Sequence, residues 1–214
     1  MMEHIKKVLG NIKRVYPAYD VKAGYELAGF VWFQGWNDMV DRGTYPNRAQ
    51  PGGYAQYSKV LVHFIRDVRK DLSAPKLPFV IGVMGVGGPV EKYGPDQKRY
   101  AGIHSEFRKA MAAPAKLSKF KGNVTAVFTE NYWDHQLSEL SSRMGKVNAK
   151  RRSLGNDKTL SAEERRKLVE AYKADLFTKE EIRILETGIS NAAYHYLGSS
   201  KILGQIGKAF ADAQ

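Results

Sequence analysis

The sequence predicts an α/β fold with a parallel sheet, and three observations predict it. Three short apolar runs, 27–33 (LAGFVWF), 79–83 (FVIGV) and 124–128 (VTAVF), are rich in β-branched or aromatic residues and bounded by Gly, Pro or polar turn residues. That composition is the signature of buried strands. Between the first two runs, Tyr57, Leu61, Phe64, Ile65, Val68 and Leu72 recur at helical spacing, as a crossover helix between parallel strands requires. Between the second and third, the segment 95–111 puts Tyr100, Ile103, Phe107 and Met111 on one side of a further helix. Strand, helix, strand, helix, strand is the alternation of a layered α/β fold, whose ligands sit outside the carboxyl ends of the strands. Function is therefore to be sought just after each strand.

The rest of the chain reads as helical. Residues 161–176 begin with SAEE, a capping-box pattern, and carry alternating charge; TKEE at 178–181 opens another short helix by the same signal. The charged stretch 145–186 is expected to be an elaboration packed on the outside of the sheet unit. A last helix over 199–212 is predicted to turn Ile202, Leu203, Ile206, Ala209 and Phe210 toward a core. A single domain spanning 1–214 is the expectation from length, with no internal repeat.

Composition excludes several chemistries. There is no cysteine, hence no disulfide, thiolate nucleophile or Cys-bound zinc. His63, His104 and His135 fall on or beside separate elements without the i, i+4 spacing of a helical zinc site, so neither metal nor other cofactor is expected. No run approaches the roughly 18 apolar residues that span a bilayer, so no membrane partner is expected, and the residues at the start lack the apolar core of a secretory signal. The composition gives no compartment. The net charge of +12 suggests nucleic acid, but the excess is dispersed. Twelve Lys/Arg face seven Asp/Glu over 143–183, and eight face two over 92–121. With no recognition helix, RNA-binding aromatic signature or zinc knuckle, a solvated basic surface is expected instead of a nucleic-acid partner.

Two segments could carry chemistry. Gln34-Gly35-Trp36-Asn37-Asp38 follows the first strand directly. Carboxamides beside a glycine there can present donors to a developing oxyanion; the same composition also makes a polar turn. Asn191-Ala192-Ala193-Tyr194-His195-Tyr196-Leu197-Gly198 precedes the last helix, where His195 can act as a general base or be a packed histidine satisfied by a carbonyl. Past the third strand, Tyr132, Trp133, Asp134 and His135 could stack a sugar or simply pack.

Taken together, VWFQGWND, the helix YSKVLVHFIRDVRKDL leading into LPFVIGVMG, and the terminal YHYLGSSKILGQIGKAFADA resemble the sialate O-acetylesterase-like branch of the SGNH (GDSL-related) hydrolases, over residues from about 27 to 213. The resemblance implies a three-layer α/β/α sandwich of flavodoxin-like type. It also implies ester hydrolysis by a serine nucleophile with a late histidine as base, acting on acetylated carbohydrate. In that branch the strand motif reads Gln-Gly-Glu-x-Asp, which Gln34, Gly35 and Asp38 match while Trp36 departs. The broader pattern Gly-x-Asn-Asp is met by Gly35, Asn37 and Asp38. Gln34 and Asn37 are thus competing oxyanion donors. His195 matches the late base, but the aspartate expected three residues before it is Ala192, leaving Glu186, Asn191 or a carbonyl to orient the ring. The serine block and a second glycine block that precede the strand motif in the family are absent from these residues, and Ser199 and Ser200 lack the elbow that exposes a nucleophile. The chain is therefore expected to be the C-terminal part of such an esterase, with the N-terminal strands missing and the serine on an N-terminal polypeptide. A noncatalytic sugar-binding fragment is the alternative, and a basic nucleic-acid-binding protein a more distant one.

Overall fold

In the computed structural model, which describes residues 1–214, the three apolar runs form one parallel sheet in the order β1-β2-β3. The strands are β1 (Phe30–Trp32), β2 (Phe79–Val83) and β3 (Val124–Phe128). Phe30 pairs with Phe79 and Ile81 with Ala126. β1 is shorter than the apolar run 27–33 that contains it. Its ladder starts where Phe30 N–H donates to the carbonyl of Pro78; proline has no N–H to return, so the pairing cannot extend toward Leu27.

The residues fall into two compact units. The first comprises Met1–Met84, Tyr93–Phe128 and Lys208–Gln214, and holds the sheet. Helix α1 (Met2–Leu9) has no buried residue. A short helix α2 (Trp36–Val40) follows β1, and α3 (Ala55–Asp71) is the crossover, with Tyr57, Leu61, Ile65 and Val68 buried as the spacing predicts. The segment 95–111 divides into α4 (Pro95–Lys98) and α5 (Ala101–Ala112). Phe107 and Met111 are fully buried, but Tyr100 at the break is 42% exposed, its ring stacked on His104 instead of joining the core.

Both faces of the central strand β2 are covered, which makes three layers. Phe79 meets Phe64 of α3 edge to face at 6.1 Å. On the opposite face, a Cβ at Gly82 would lie 2.5 Å from the Phe33 ring and 2.6 Å from Phe210 at the end of α9 (Ser200–Asp212). Strand residues of opposite parity face opposite ways, so the helices flank the sheet on two sides. At the amino edge of the sheet, buried Arg69 donates to the Leu77 carbonyl at 2.8 and 3.0 Å and to Asn123 at 2.8 and 2.9 Å. One guanidinium thus ties the entries of β2 and β3 without a carboxylate partner.

The second unit comprises Gly85–Lys92 and Thr129–Gly207. Its helices are α6 (His135–Gly155), α7 (Ala162–Leu176) and α8 (Lys179–Gly188), around Leu140, Val147, Leu154, Val169, Phe177 and Leu185. The expected capping boxes are present, Ser161 with Glu164 and Thr178 with Glu181. Helix α6 begins at His135, where Asp134 caps it by accepting from the Leu137 N–H at 2.9 Å. In α9, Ile202 and Ile206 are buried, whereas Leu203, expected on the same stripe, is 43% exposed. Ile202, Ile206 and Phe210 recur at i, i+4 and i+8 and fill the narrow face alone. No helix is long and apolar enough to cross a membrane.

Candidate functional site

The loop that leaves β1 is set by packing beneath it. Gly35 is buried, and a Cβ there would lie 2.8 Å from the Phe107 ring and 3.4 Å from the Met84 methyl, with φ at +156°. The chain passes between ring and sheet only as glycine. Just before it, the Gln34 carbonyl accepts from the Tyr57 hydroxyl at 3.1 Å. Burial pushes the Tyr57 phenol up to about 12, and the Asp38 charge adds to that, so the hydroxyl stays protonated and donates.

Three of the sequence-predicted residues then differ in role. The Gln34 side chain is exposed and its amide nitrogen donates to Asp38 Oδ2 at 3.2 Å, so Asp38 orients the carboxamide and leaves its second N–H available. Asn37 is exposed on the first turn of α2, with no side-chain bond. Trp32, Tyr45, Tyr57 and Phe64 wall a cleft of about 230 Å³ whose polar members are Gln34 and Asp38. An aromatic wall beside a carboxamide and a carboxylate suits the apolar face and hydroxyl rim of a sugar ring.

His195 belongs to the second unit and is exposed. Its Nδ1 lies 3.0 Å from Asn191 Oδ1, an atom that also accepts the Ala192 N–H at 2.7 Å. A backbone N–H can only donate, which identifies that end of the amide as oxygen; the oxygen can only accept, so Nδ1 carries the proton. In the neutral ring Nε2 then keeps the lone pair, the form a general base needs. Of the alternatives open from sequence, Asn191 holds the ring and Glu186, exposed on α8, does not.

The backbone just past His195 is strained. Tyr196 (φ 53°), Leu197 (φ 60°) and Gly198 (φ 58°) are consecutive left-handed residues, and two of them are bulky. Such backbone persists only when its surroundings over-determine it. Here the Leu197 carbonyl accepts from both Ser190 N–H (2.9 Å) and Asn191 N–H (3.0 Å), and the Gly198 carbonyl accepts from the Ser190 hydroxyl at 2.9 Å. The buried Tyr196 hydroxyl accepts from the Gly85 N–H at 2.8 Å and shares a hydrogen bond with Thr129 Oγ1 at 2.7 Å. Gly85 directly follows Met84, one residue past β2, and Thr129 directly follows β3. The phenol of Tyr196 therefore anchors the histidine turn to the segments leaving two strands. A Cβ at Gly85 would collide with the Glu130 backbone nitrogen at 1.9 Å, so this anchor also demands glycine.

Tyr196, Gly85 and Thr129 were not singled out by sequence reasoning. The available signal was the pair of large residues before Gly198, an unusual place for a turn. Trp133 is 6% exposed, packed against Tyr196 at 6.1 Å, and so serves the core of this unit. His135 is exposed with its ring over Gly88, and Tyr132 is half-buried. Burial disfavours the Asp134 carboxylate, but Lys201 at 2.7 Å and the N–H groups of α6 outweigh it and hold its pKa below the usual range. Ser199 is 2% exposed and Ser200 begins α9; neither follows a strand. Thr129 does follow one, but is fully buried with its hydroxyl on Tyr196.

The family model described as carbohydrate esterase, sialic acid-specific acetylesterase, matches residues 10–120, more than half of the chain. The matched span contains β1, the Gln34–Asp38 loop, α3, β2 and α5. No curated protein and no solved structure matches.

Proposed function

Because this chain belongs to the sialic acid-specific acetylesterase family of carbohydrate esterases, we propose that it serves the removal of O-acetyl groups from sugars by serine-esterase chemistry, with His195 as the base. In this reading His195 Nε2 takes the proton of a serine hydroxyl as that oxygen attacks the acetyl carbonyl carbon. The second amide N–H of Gln34 or the Asn37 amide, with the Gly35 backbone, stabilises the oxyanion. The imidazolium then returns the proton to the departing sugar oxygen, and water releases acetate from the acyl-enzyme by the same steps reversed. Asp38 acts through Gln34, and the cleft walled by Trp32 and Tyr45 receives the sugar.

The observation that carries the reading is the bond from His195 Nδ1–H to Asn191 Oδ1, which leaves Nε2 as acceptor on an exposed turn. The hydroxyl comes from an N-terminal polypeptide bearing the serine block, since no serine among these residues sits on a strand-to-helix elbow. The acetylated carbohydrate and that polypeptide are the partners.

The test is acetate release from an O-acetylated sugar and from p-nitrophenyl acetate, by the chain alone and with the serine-bearing polypeptide. The expected result is background hydrolysis alone and turnover when the two are combined, falling about 10³-fold or more in His195→Ala. Asn191→Asp should retain turnover and Asn191→Ala lose most of it, with kcat changing more than KM. Robust hydrolysis by the chain alone would sink the external nucleophile, and turnover indifferent to His195→Ala would sink the base.

A further inference from the structure

We propose that the hairpin of α6 and α7 carries a binding cleft for anionic polysaccharide, built from Arg151, Arg165 and Arg166, so that the carbohydrate addressed by this chain is a charged one. The proposal rests on the carbohydrate esterase reading above for the choice of glycan over other polyanions.

The charge there is concentrated. Seven Lys/Arg lie between 146 and 166 against three Asp/Glu. Each of those three acids is already engaged. Asp157 Oδ1 accepts from the Thr159 N–H at 2.9 Å and its hydroxyl at 2.6 Å. Glu163 pairs with Lys167 at 2.9 Å, and Glu164 is spent in the capping box, accepting the Ser161 N–H at 2.8 Å. Asp157 still acts on Arg165 through its charge, and Glu170 stands in the cleft wall, so the basic excess is reduced but not cancelled. A cleft of about 420 Å³ opens between the two helices, lined by Arg151, Arg165, Arg166, Val169 and Glu170, with Gly155 and Ala162 giving room at its floor. That volume is within the range of clefts that take a small ligand.

The guanidinium groups are arranged as well as abundant. Arg165 is half-buried, and donates from Nη1 to the Gly155 carbonyl at 3.1 Å and from Nε to the Ser161 carbonyl at 3.3 Å. Its plane is thus fixed across the hairpin while Nη2 remains available. Arg151 is steadied only by the Asn148 side chain at 3.1 Å, and Arg166 has no hydrogen bond or ion pair. One pre-set fork flanked by two adaptable ones suits carboxylate or sulfate groups, which arginine takes in bidentate fashion. Repeating charges along a chain suit this better than a lone anion, because a polymer releases counterions at each arginine.

The experiment is equilibrium binding of the whole chain to fluorescent alginate, dextran sulfate, uncharged dextran and poly(U), across a salt series. Binding to alginate or dextran sulfate that exceeds dextran and poly(U), and weakens with salt, is expected. Arg151→Gln with Arg166→Gln, which breaks no backbone bond, should weaken it about tenfold and flatten the salt slope. Lys13→Gln with Lys22→Gln removes the same charge from the other unit and should leave it nearly unchanged. Arg165→Lys, which keeps the charge but not the fork, should weaken binding more than that control. Absence of binding to either anionic glycan, equal losses in the Arg151/Arg166 and Lys13/Lys22 pairs, or preference for poly(U) would each overturn the proposal. Binding needs no nucleophile. Failure of acetate release with glycan binding intact would therefore count against the esterase chemistry alone, and the converse against this cleft alone.

Discussion

In the sheet unit, Tyr54, Phe79 and Phe107 are at most 1% exposed, and Tyr54 and Tyr57 both meet the Phe107 ring edge to face at 4.8 Å. Around α6, α7 and α8 of the helical unit the buried cluster is aliphatic apart from a single phenylalanine, Phe177, with Arg143 lying over its ring and reaching Glu181 at 2.6 Å. The first is held by interlocked rings that bear on Gly35, the second by caps, helix faces and charge. Family resemblance follows the first: the matched residues 10–120 lie almost wholly in the sheet unit, while the histidine turn and the arginine hairpin lie in the other. The part that looks most like its relatives holds the oxyanion candidates. The part outside the matched span holds the candidate base, His195, and the arginine hairpin.

The largest expected effect breaks the aromatic half alone. Phe107→Ala removes a fully buried ring shared by Tyr54, Tyr57 and Gly35 and should cost about 3–5 kcal/mol. Hydrogen exchange should report early opening of α3 and β2 with α6 to α8 less affected. Uniform loss of protection across both units would show that they fold as one and erase the distinction.

Acid sharpens the comparison through two groups. Burial, helped by Arg108, pushes the His104 imidazole down to about 4, where Nδ1 meets the Tyr93 hydroxyl at 2.6 Å. An unfolded chain binds that proton near pH 6.5, so stability is full above 6.5 and falls as the pH drops toward 4, by about 2–3 kcal/mol. In the helical unit, hydrogen bonding to Arg143 pulls Glu181 down to about 2, so its contribution persists until the pH falls below 4.5 and is lost toward 2. The sheet unit should therefore loosen first. Urea midpoints at pH 7.5 and 4.5 measure this, and His104→Gln, which keeps an acceptor for Tyr93, should flatten the dependence. An unchanged slope in that variant would assign the acid sensitivity elsewhere.

The smallest effect is expected where charge is most visible. Arg183 pairs with Glu180 at 2.8 Å on open surface, and Arg183→Ala should leave the Tm unchanged within error in a thermal melt. A clear drop would mean that surface ion pairs, and not the aliphatic faces, hold the helical unit.

Much of this was legible in the sequence. The strands, the crossover face from Tyr57 to Val68 and both capping boxes follow from local periodicity and from side chains that bond three residues away. Gly35 was legible too, as a glycine at the end of a strand. The features that escaped depend on partners distant in sequence. That Tyr196 bonds Gly85 and Thr129, or that Leu203 faces water while Ile202 does not, is decided by which neighbours arrive, and hydropathy does not record that. The identity of the residue orienting His195 was open for the same reason. The family resemblance implied a carboxylate at 192, and the chain supplies an amide one residue earlier.

The left-handed run at Tyr196 and Leu197 also bears on how this chain can change. Each position would be easier for the backbone as glycine, since a bulky residue there costs of order 1–3 kcal/mol. Yet glycine at 196 would discard the phenol that anchors the turn, and glycine at 197 would discard a side chain only 1% exposed. Relief of strain at these positions thus comes only with loss of the contacts that hold the turn, so the strained backbone and its buried side chains stand or fall together. Truncating either buried side chain costs about 2–5 kcal/mol, more than the strain it relieves, so random mutagenesis selected for heat resistance should also leave both positions unchanged.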